Sequence, residues 1–182
     1  MDAGYLDIIK GNEGEIQAVA AASNPTHALP TQQRGVDSTA TLTTNQKAAL
    51  VSALARAERN IVLMTGKDDV VSDGTRTFVV EGGHEIMGRV TGTGCVLGTA
   101  ISACVAAYGG DRLAAVVAAL VLFGAAGERA AADGAGPGSF VPRFLDELDS
   151  LRRTDYNDYA STNWYDCAEV WQAVDPADMD ME

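Results

Sequence analysis

A chain of 182 residues, 47% of them hydrophobic, is long enough to bury a substantial core as one domain, which excludes fibrous and wholly disordered classes. Its formal net charge is −12, and such an acidic surface repels polyanions, so we expect no nucleic acid and no membrane among its partners. Three cysteines, an odd number, and the lack of a recognisable signal peptide predict reduced thiols and a cytoplasmic location.

The first predicted element is a strand over residues 6–10, interrupted by Gly11 and followed by a helix over residues 12–22. Asn12 suits the N-cap of that helix, and Glu15, three residues on, completes a capping box. The same two side chains follow the carboxyl end of a strand, where open α/β sheets bind ligands, so they also suit a hydrated Mg²⁺. Spacing alone favours the cap, because caps of this type are frequent.

A loop-rich connection over residues 23–44 comes next, and its length suggests a function. Apolar periodicity then predicts a helix over residues 45–59, ended by Asn60, and a buried strand over residues 61–64. That strand stops at Thr65. A second polar side chain therefore follows the carboxyl end of a strand.

The sequence after this strand predicts a β-hairpin, with strands over residues 69–72 and 75–80 joined by Asp73-Gly74. An Asp-Gly pair between β-rich runs is a strong local signal for such a turn. His84 lies in the glycine-rich segment beyond, where a lone histidine is more often incidental than catalytic. We therefore interpret His84 as incidental.

The most informative stretch is a glycine-rich loop over residues 90–95, which runs directly into an apolar helix ending near Tyr108. Gly92 and Gly94 allow a tight turn that leaves backbone N–H groups uncovered, and the helix adds the positive end of its dipole. Cys95 at the start of the helix suits a base or nucleophile, because that position favours the thiolate. The loop is neither a dinucleotide fingerprint nor a P-loop, so phosphate binding and a purely structural turn are equally open from the loop alone.

The C-terminal part begins with a helix over residues 112–132, whose apolar run is too short and too rich in alanine to span a bilayer. After a tight loop over residues 133–139, Ser139 is expected to cap a last helix. The apolar stripe of that helix is Phe140, Phe144, Leu148 and Leu151. Residues 152–182 form a tail with five aromatic and eight acidic side chains, and docking on the domain or on a partner are both open.

The order of strands and helices predicts an α/β architecture with a mainly parallel sheet. In such folds, ligands bind in the crevice beyond the carboxyl ends of the strands. Asn12, Glu15, Thr65 and residues 92–95 all fall just beyond strand ends. We therefore expect them to share one crevice.

Five motifs stand out in order along the chain: Gly11-Asn12-Glu13-Gly14-Glu15-Ile16, Gly35-Val36-Asp37-Ser38, Thr65-Gly66-Lys67-Asp68-Asp69, Val90-Thr91-Gly92-Thr93-Gly94-Cys95 and Gly136-Pro137-Gly138-Ser139-Phe140. Together they resemble the hydroxyethylthiazole kinase family. The resemblance covers residues 5–151 and implies the ribokinase-like fold, a three-layer α/β/α arrangement. It also implies phosphorylation of the hydroxyethyl group of 4-methyl-5-(2-hydroxyethyl)thiazole, a step towards thiamine, with ATP as co-substrate and Mg²⁺.

By this resemblance, four backbone amides cradle the transferring phosphoryl group: those of Gly92, Thr93, Gly94 and Cys95. Cys95 stands where sugar kinases of the wider fold carry an aspartate base, so its thiol is implied either as a base or as a neutral hydrogen-bonding group. Thr65 corresponds to a nucleotide-contacting position and Gly92 to one that lines the thiazole pocket. Asn12 and Glu15 correspond to the motif that organises Mg²⁺, which raises the metal interpretation above the cap and allows one pair to serve both.

The family pattern has an extensive N-terminal part, and the chain begins after it. We therefore expect residues 1–151 to be the C-terminal part of a ribokinase-like kinase domain and residues 152–182 to be a separate tail. A mis-assigned start, a fragment and a shortened protein that works with another chain are the three explanations. The resemblance also implies a homotrimer, and we expect weak or absent turnover from this chain alone.

Two alternatives stay open. A kinase for a related small alcohol is one, because the related hydroxymethylpyrimidine kinases also carry a Gly-Thr-Gly-Cys loop. A non-catalytic nucleotide-binding or interaction module, with the tail as its contact surface, is the other. Substitution of Cys95 distinguishes them, since a kinase loses turnover while still binding nucleotide and a binding module is unchanged.

Overall fold

The computed structural model describes residues 6–23, 42–153 and 168–173. The elements of these residues are, in chain order, β1 (Ile8–Asn12), α1 (Glu13–Ser23), α2 (Thr44–Glu58), β2 (Ile61–Thr65), β3 (Asp68–Ser72), β4 (Thr77–Gly82), a 3₁₀ helix (Glu85–Arg89), α3 (Thr93–Ala107), α4 (Arg112–Ala131), a short 3₁₀ turn (Ala132–Gly134), α5 (Pro137–Arg153) and β5 (Ala168–Gln172). This succession of strands and helices confirms the predicted α/β class.

One sheet holds these five strands in the order β1-β2-β3-β4-β5. β1 and β2 run parallel, with Asn12 opposite Thr65, because helices connect them. β2 and β3 run antiparallel, because only Gly66 and Lys67 separate them and a parallel crossover needs roughly a dozen residues or more. The sheet is therefore mixed, whereas the sequence predicted a mainly parallel one.

β1 is shifted relative to the predicted strand: it begins at Ile8 and continues through Gly11 to Asn12. Gly11 lets α1 approach the strand closely, since a Cβ placed on it would lie 2.8 Å from the Cβ of Glu15. The Thr65 hydroxyl on β2 donates to the Gly11 carbonyl (3.3 Å). The strand therefore delivers Asn12 directly to the start of α1.

Both ends of α2 are capped. The Thr43 hydroxyl accepts from the Gln46 amide, and the Gln46 side chain accepts from the Thr43 amide (2.9 Å). Arg59 adopts a left-handed conformation with φ of 56° and donates its N–H to the Ala55 carbonyl, so the helix ends one residue before the predicted Asn60. These bonds satisfy backbone groups that a helix end leaves open.

The predicted β-hairpin is present in β3 and β4, with its turn over residues 73–76. Asp73 Oδ1 accepts from the amides of Thr75 (2.9 Å) and Arg76 (2.7 Å). Gly74 has φ of +86°, and a Cβ on it would lie 2.9 Å from backbone atoms of Arg56 on α2. The turn therefore needs glycine at this position.

The chain divides into two compact units, and the first comprises residues 1–79 and 171–182. Among its described residues, α1 and α2 pack against each other and against the strands. Its core is mainly aliphatic and includes Ile16, Val51, Leu54, Val62, Met64, Val70 and Val79. The Ala173 amide donates to the Thr77 carbonyl (2.9 Å), which ties the residues after β5 to this unit.

The second unit comprises residues 80–170, and its described part is built around α4. α4 packs against α3 and α5, and the Asp111 side chain caps it by accepting from the amides of Leu113 and Ala114. Phe123 and Phe144 meet edge to face, with ring centroids 4.8 Å apart. Within the described residues, α4 is the one helix long and apolar enough to cross a membrane, and 67% of its apolar window is buried, as in a core helix.

α5 begins at Pro137, so Ser139 lies in its first turn and the prediction that Ser139 caps this helix is wrong. Proline suits the first helical position because its fixed φ is helical and it has no N–H to satisfy. The Ser139 amide (3.1 Å) and hydroxyl (3.2 Å) both donate to the Gly136 carbonyl. Of the predicted apolar stripe, Leu148 is partly buried and three residues are buried: Phe140, Phe144 and Leu151.

Residues 168–172 of the predicted tail form β5 beside β4. Residues 152 and 153 end α5, residue 173 follows β5, and the remaining tail residues, 154–167 and 174–182, lie outside the described residues. Residues 24–41, which include the motif at 35–38 and most of the predicted loop, lie outside them as well. A separate tail over residues 152–182 stays a prediction.

Candidate active site

Asn12 and Glu15 form a reciprocal cap where β1 meets α1. The Asn12 side-chain oxygen accepts from the Glu15 amide (2.9 Å), and Oε2 of Glu15 accepts from the Asn12 amide (2.7 Å). The capping interpretation is therefore confirmed. Among the described residues, the second carboxylate oxygen of Glu15 has no hydrogen-bond partner, so the pair keeps an anionic oxygen for another ligand.

A metal ion at this junction stays a prediction. The described residues hold no group of three or more His, Cys, Asp or Glu side chains that could bind a metal ion. Mg²⁺ needs fewer protein ligands than that, because it keeps several waters and is commonly held by one or two carboxylates together with substrate phosphates. One carboxylate oxygen of Glu15 beside the Asn12 amide oxygen fits such a partial ligand set.

Thr65 lies beside this junction. The parallel register of β1 and β2 sets Asn12 opposite Thr65. Opposed residues in a sheet point to the same face, so these two side chains share a face at the carboxyl ends of both strands. The structure thus brings the predicted nucleotide residue and the predicted metal residues to one edge of the sheet.

An ion pair between a buried lysine and a partly buried glutamate lies at the starts of the two helices that follow this edge. Lys47, in the first turn of α2, is 7% exposed, and its Nζ lies 3.8 Å from Oε2 of Glu13 in the first turn of α1. Oε1 of Glu13 accepts from the Leu42 amide (3.0 Å), so this carboxylate also holds the residues that lead into α2. The sequence analysis did not single out this pair, because it joins positions far apart in the chain.

The loop before α3 has the predicted glycine turn. Gly92 is left-handed, with φ of +100°, and among the described residues no side chain caps α3. The Gly92 carbonyl accepts from the amides of Cys95 and Val96, both at 3.0 Å. The Cys95 amide is thus already used, and within the described part of the chain the amides of Gly92, Thr93 and Gly94 are the ones left for an anion.

Cys95 is exposed in the first turn of α3, whereas Cys104 on the same helix is partly buried. Burial raises the pKa of the Cys104 thiol. A reactive cysteine must be accessible, and a position at a helix N-terminus places it beside any anion bound there. Cys95 meets both conditions, and Cys104 provides an internal comparison.

His84 has a structural partner. Its Nδ1 accepts from the Ile86 amide (3.2 Å) and caps the 3₁₀ helix that begins at Glu85. This bond agrees with the interpretation of His84 as incidental to catalysis.

Asp69 lies at the same sheet edge as Thr65; the sequence places it in a hairpin strand and in the motif that begins at Thr65, without indicating a role for its side chain. Its Oδ1 accepts from the Gly66 amide (3.0 Å) across the turn between β2 and β3. The side chain is partly exposed, yet protein atoms surround the carboxyl group, and this desolvation raises the pKa of Asp69 to about 6. The Gly66 amide, Lys10 and Lys47 act in the opposite direction, so desolvation dominates. An aspartate three residues after Gly66 is the local signal that could have revealed it.

The predicted site residues belong to different units. Asn12, Glu15 and Thr65 lie in the first, and residues 92–95 lie in the second. The single crevice expected for both sets stays a prediction.

Comparison with known proteins identifies relatives along most of the chain. A sequence profile of the hydroxyethylthiazole kinase family matches residues 1–154. The hydroxyethylthiazole kinase of Methanosarcina mazei is 44% identical over 80% of this chain and 52% of its own length. The Klebsiella pneumoniae protein of the same name is 48% identical over 77% of this chain and 50% of its own. A probable thiamine biosynthetic bifunctional enzyme of Schizosaccharomyces pombe is 36% identical over 81% of this chain.

A solved structure agrees with these sequence matches. The structure of hydroxyethylthiazole kinase from Pyrococcus horikoshii OT3 superposes with a TM-score of 0.70 at 34% identity, covering 93% of this chain and 56% of that chain. The superposition confirms the α/β fold class. The chain spans about half the length of the two hydroxyethylthiazole kinases compared above.

Proposed function

Because the chain belongs to the hydroxyethylthiazole kinase family, we propose that it takes part in ATP-dependent phosphorylation of the hydroxyethyl group of 4-methyl-5-(2-hydroxyethyl)thiazole. The observation that carries the proposal is the start of α3, where a left-handed Gly92 precedes a helix that no described side chain caps. Such a helix start binds anions through its unused amides and the helix dipole. The transferring phosphoryl group is the anion that this reaction supplies.

In the proposed reaction, the alcohol oxygen attacks the γ-phosphorus of ATP, the bond to the β–γ bridging oxygen breaks, and ADP leaves. The amides of Thr93 and Gly94 stabilise the charge on the phosphoryl oxygens. The exposed thiol of Cys95 takes the alcohol proton as a thiolate or orients the hydroxyl as a neutral group. Gly92 lines the thiazole pocket in this proposal, and a Cβ placed on Gly92 would meet no described atom within 4 Å.

The nucleotide and metal groups of this proposal are Thr65, Asn12 and Glu15. Thr65 contacts the nucleotide at the carboxyl end of β2. Asn12 and Glu15 hold Mg²⁺, which when bound neutralises phosphate charge. Because Oε2 of Glu15 is engaged in the cap, the oxygen that faces the ion is its second one.

The proposal extends to the state of the protein in the cell. We place it in the cytoplasm, as its cysteine content predicts, and as a homotrimer, as the family resemblance implies. Sedimentation equilibrium of the purified chain measures the assembly, and a mass of one chain would contradict the trimer.

Calorimetric titration of the purified chain with Mg-ATP, followed by the thiazole alcohol, tests the proposed activity. Heat from both ligands together with formation of the thiazole phosphate, even at the low rate expected of this chain alone, supports it. Cys95→Ala is expected to lower kcat about 100-fold or more while Mg-ATP affinity is retained. Cys104→Ala, on the same helix, is the matched control. Nucleotide heat without product would favour a binding module, and preferential turnover of a hydroxymethylpyrimidine would favour a related kinase.

Glu15→Gln separates the metal role from the cap, because glutamine still accepts the Asn12 amide but carries no charge. If the pair holds Mg²⁺, this variant unfolds at the same temperature yet binds Mg-ATP about tenfold more weakly. An unchanged affinity for Mg-ATP would show that Asn12 and Glu15 serve only as a helix cap.

A further inference from the structure

Asp69 completes a row of three polar side chains across three strands. In the register of β1 and β2, Asn12 lies opposite Thr65, and in that of β2 and β3, Met64 lies opposite Val70. One step along each antiparallel strand sets Thr65 opposite Asp69. Since opposed residues point to the same face, Asn12, Thr65 and Asp69 share one face at one edge of the sheet.

The Asp69 carboxylate also holds the turn that follows Thr65. Its Oδ1 accepts from the Gly66 amide at 3.0 Å, while the Thr65 hydroxyl donates to the Gly11 carbonyl at 3.3 Å. Two hydrogen bonds therefore fix the position of Thr65. Its own hydroxyl bonds to Gly11, and the amide of the next residue, Gly66, bonds to Asp69. Gly66 and Lys67 are both exposed, so packing does little to order this turn and the Asp69 bond does more.

The charges that face Asp69 come from several elements. Lys10 on β1 and Lys47 on α2 favour its ionised form, and Asp68 on β3 opposes it. Lys47 is itself paired with Glu13 on α1, which weakens its effect. Desolvation outweighs these charges, so the carboxyl group changes its charge near pH 6 rather than near pH 4.

We propose that Asp69 is a positioning residue for the nucleotide: its ionised carboxylate holds the Thr65 turn in the form that contacts ATP. The proposal rests on the proposed function, which makes Thr65 the nucleotide contact. An aspartate that only capped a turn would add stability to the fold. A desolvated carboxylate instead lowers the stability of the fold when it is ionised. We therefore expect Asp69 to contribute to the affinity for the nucleotide.

The test is calorimetric titration of the full chain with Mg-ATP over a series of pH values, with Asp69→Asn and Asp73→Asn compared in parallel. Asparagine keeps an oxygen for the amide but has neither charge nor titration. Asp73 caps the turn at the other end of β3, through the amides of Thr75 and Arg76, so its variant is a matched turn-cap control.

At pH 7 we expect Asp69→Asn to bind Mg-ATP about tenfold more weakly and Asp73→Asn to bind it like the unsubstituted chain. Between pH 7 and 5 the unsubstituted chain should lose about fivefold more affinity than Asp69→Asn, because protonation weakens the carboxylate as an acceptor. Titration of the nucleotide phosphates is common to both curves and cancels in the comparison.

Equal affinities at pH 7, or parallel pH profiles, would overturn this proposal and leave the proposed function intact. Failure of the unsubstituted chain to bind Mg-ATP would overturn both. Loss of the folded circular-dichroism spectrum in Asp69→Asn, but not in Asp73→Asn, would show a purely structural role and would also overturn the proposal.

Discussion

Nζ of Lys47 lies 3.8 Å from Oε2 of Glu13, and this pair joins the first turns of α2 and α1. This distance is longer than a hydrogen bond, so the two groups interact through their charges at a partly desolvated site. The same Nζ would lie 3.7 Å from a Cβ on Gly66, which puts the lysine head next to the turn after β2. The pair therefore links two helix starts to the strand end where the nucleotide is proposed to bind.

Neutralisation of Glu13 is expected to destabilise the fold more than replacement of Lys47 by an apolar residue. Glu13→Gln keeps an acceptor for the Leu42 amide but leaves the buried Lys47 ammonium without its counter-charge, so we expect a loss of about 2 kcal/mol. Lys47→Met removes the charge together with its desolvation penalty and keeps the apolar stem, so we expect a change below about 1 kcal/mol. Urea unfolding measures both, and an equal loss in the two variants would contradict the prediction.

Because the pKa of Asp69 is raised in the folded state, we expect the free energy of unfolding to fall as pH rises. The carboxyl group titrates near 3.8 when unfolded and at about 6 when folded, so the folded state binds the extra proton between these values. The stabilisation is fully present below about pH 4 and is lost as pH rises through about 6, at most about 3 kcal/mol in total. Asp69→Asn should therefore be more stable than the unsubstituted chain at pH 7. Urea unfolding at pH 5 and 7 checks this, and a less stable variant at pH 7 would refute it.

The two described cysteines should differ in reactivity. Cys95 is exposed, whereas burial raises the pKa of Cys104, so we expect iodoacetamide to modify Cys95 about tenfold faster or more at pH 7. Peptide mapping by mass spectrometry measures the two rates. Mg-ATP should slow the modification of Cys95 alone, and protection of both thiols to the same degree would speak against a ligand at the start of α3.

Two glycine substitutions should act in opposite directions. Gly74→Ala places a Cβ 2.9 Å from the backbone of Arg56 at a residue with φ of +86°, so we expect a loss of about 2 kcal/mol or more. Gly98→Ala in α3 meets nothing within 4 Å and removes backbone freedom from the unfolded chain, so we expect a gain of about 0.5–1 kcal/mol. Thermal unfolding compares the two, and a stabilising Gly74→Ala would show that the turn can relax.

Local sequence patterns were sufficient for the elements whose contacts lie within a few residues. The cap between Asn12 and Glu15 spans three residues, and the turn at Asp73 uses amides two and three residues away. The left-handed start of α3 follows from glycine at position 92 in the same way. Such features depend on backbone geometry that neighbouring side chains impose, so they can be predicted without knowledge of the fold.

Tertiary structure decided everything that depends on which distant segments meet. Gly11 belongs to β1 because it pairs with Met64 on β2, far along the chain. The sequence singled out Asn12 and Thr65 separately, but only the register of β1 and β2 makes them neighbours. The pKa of Asp69 also depends on the fold, because burial raises it while the charges of Lys10 and Lys47, both distant in the chain, act against the rise.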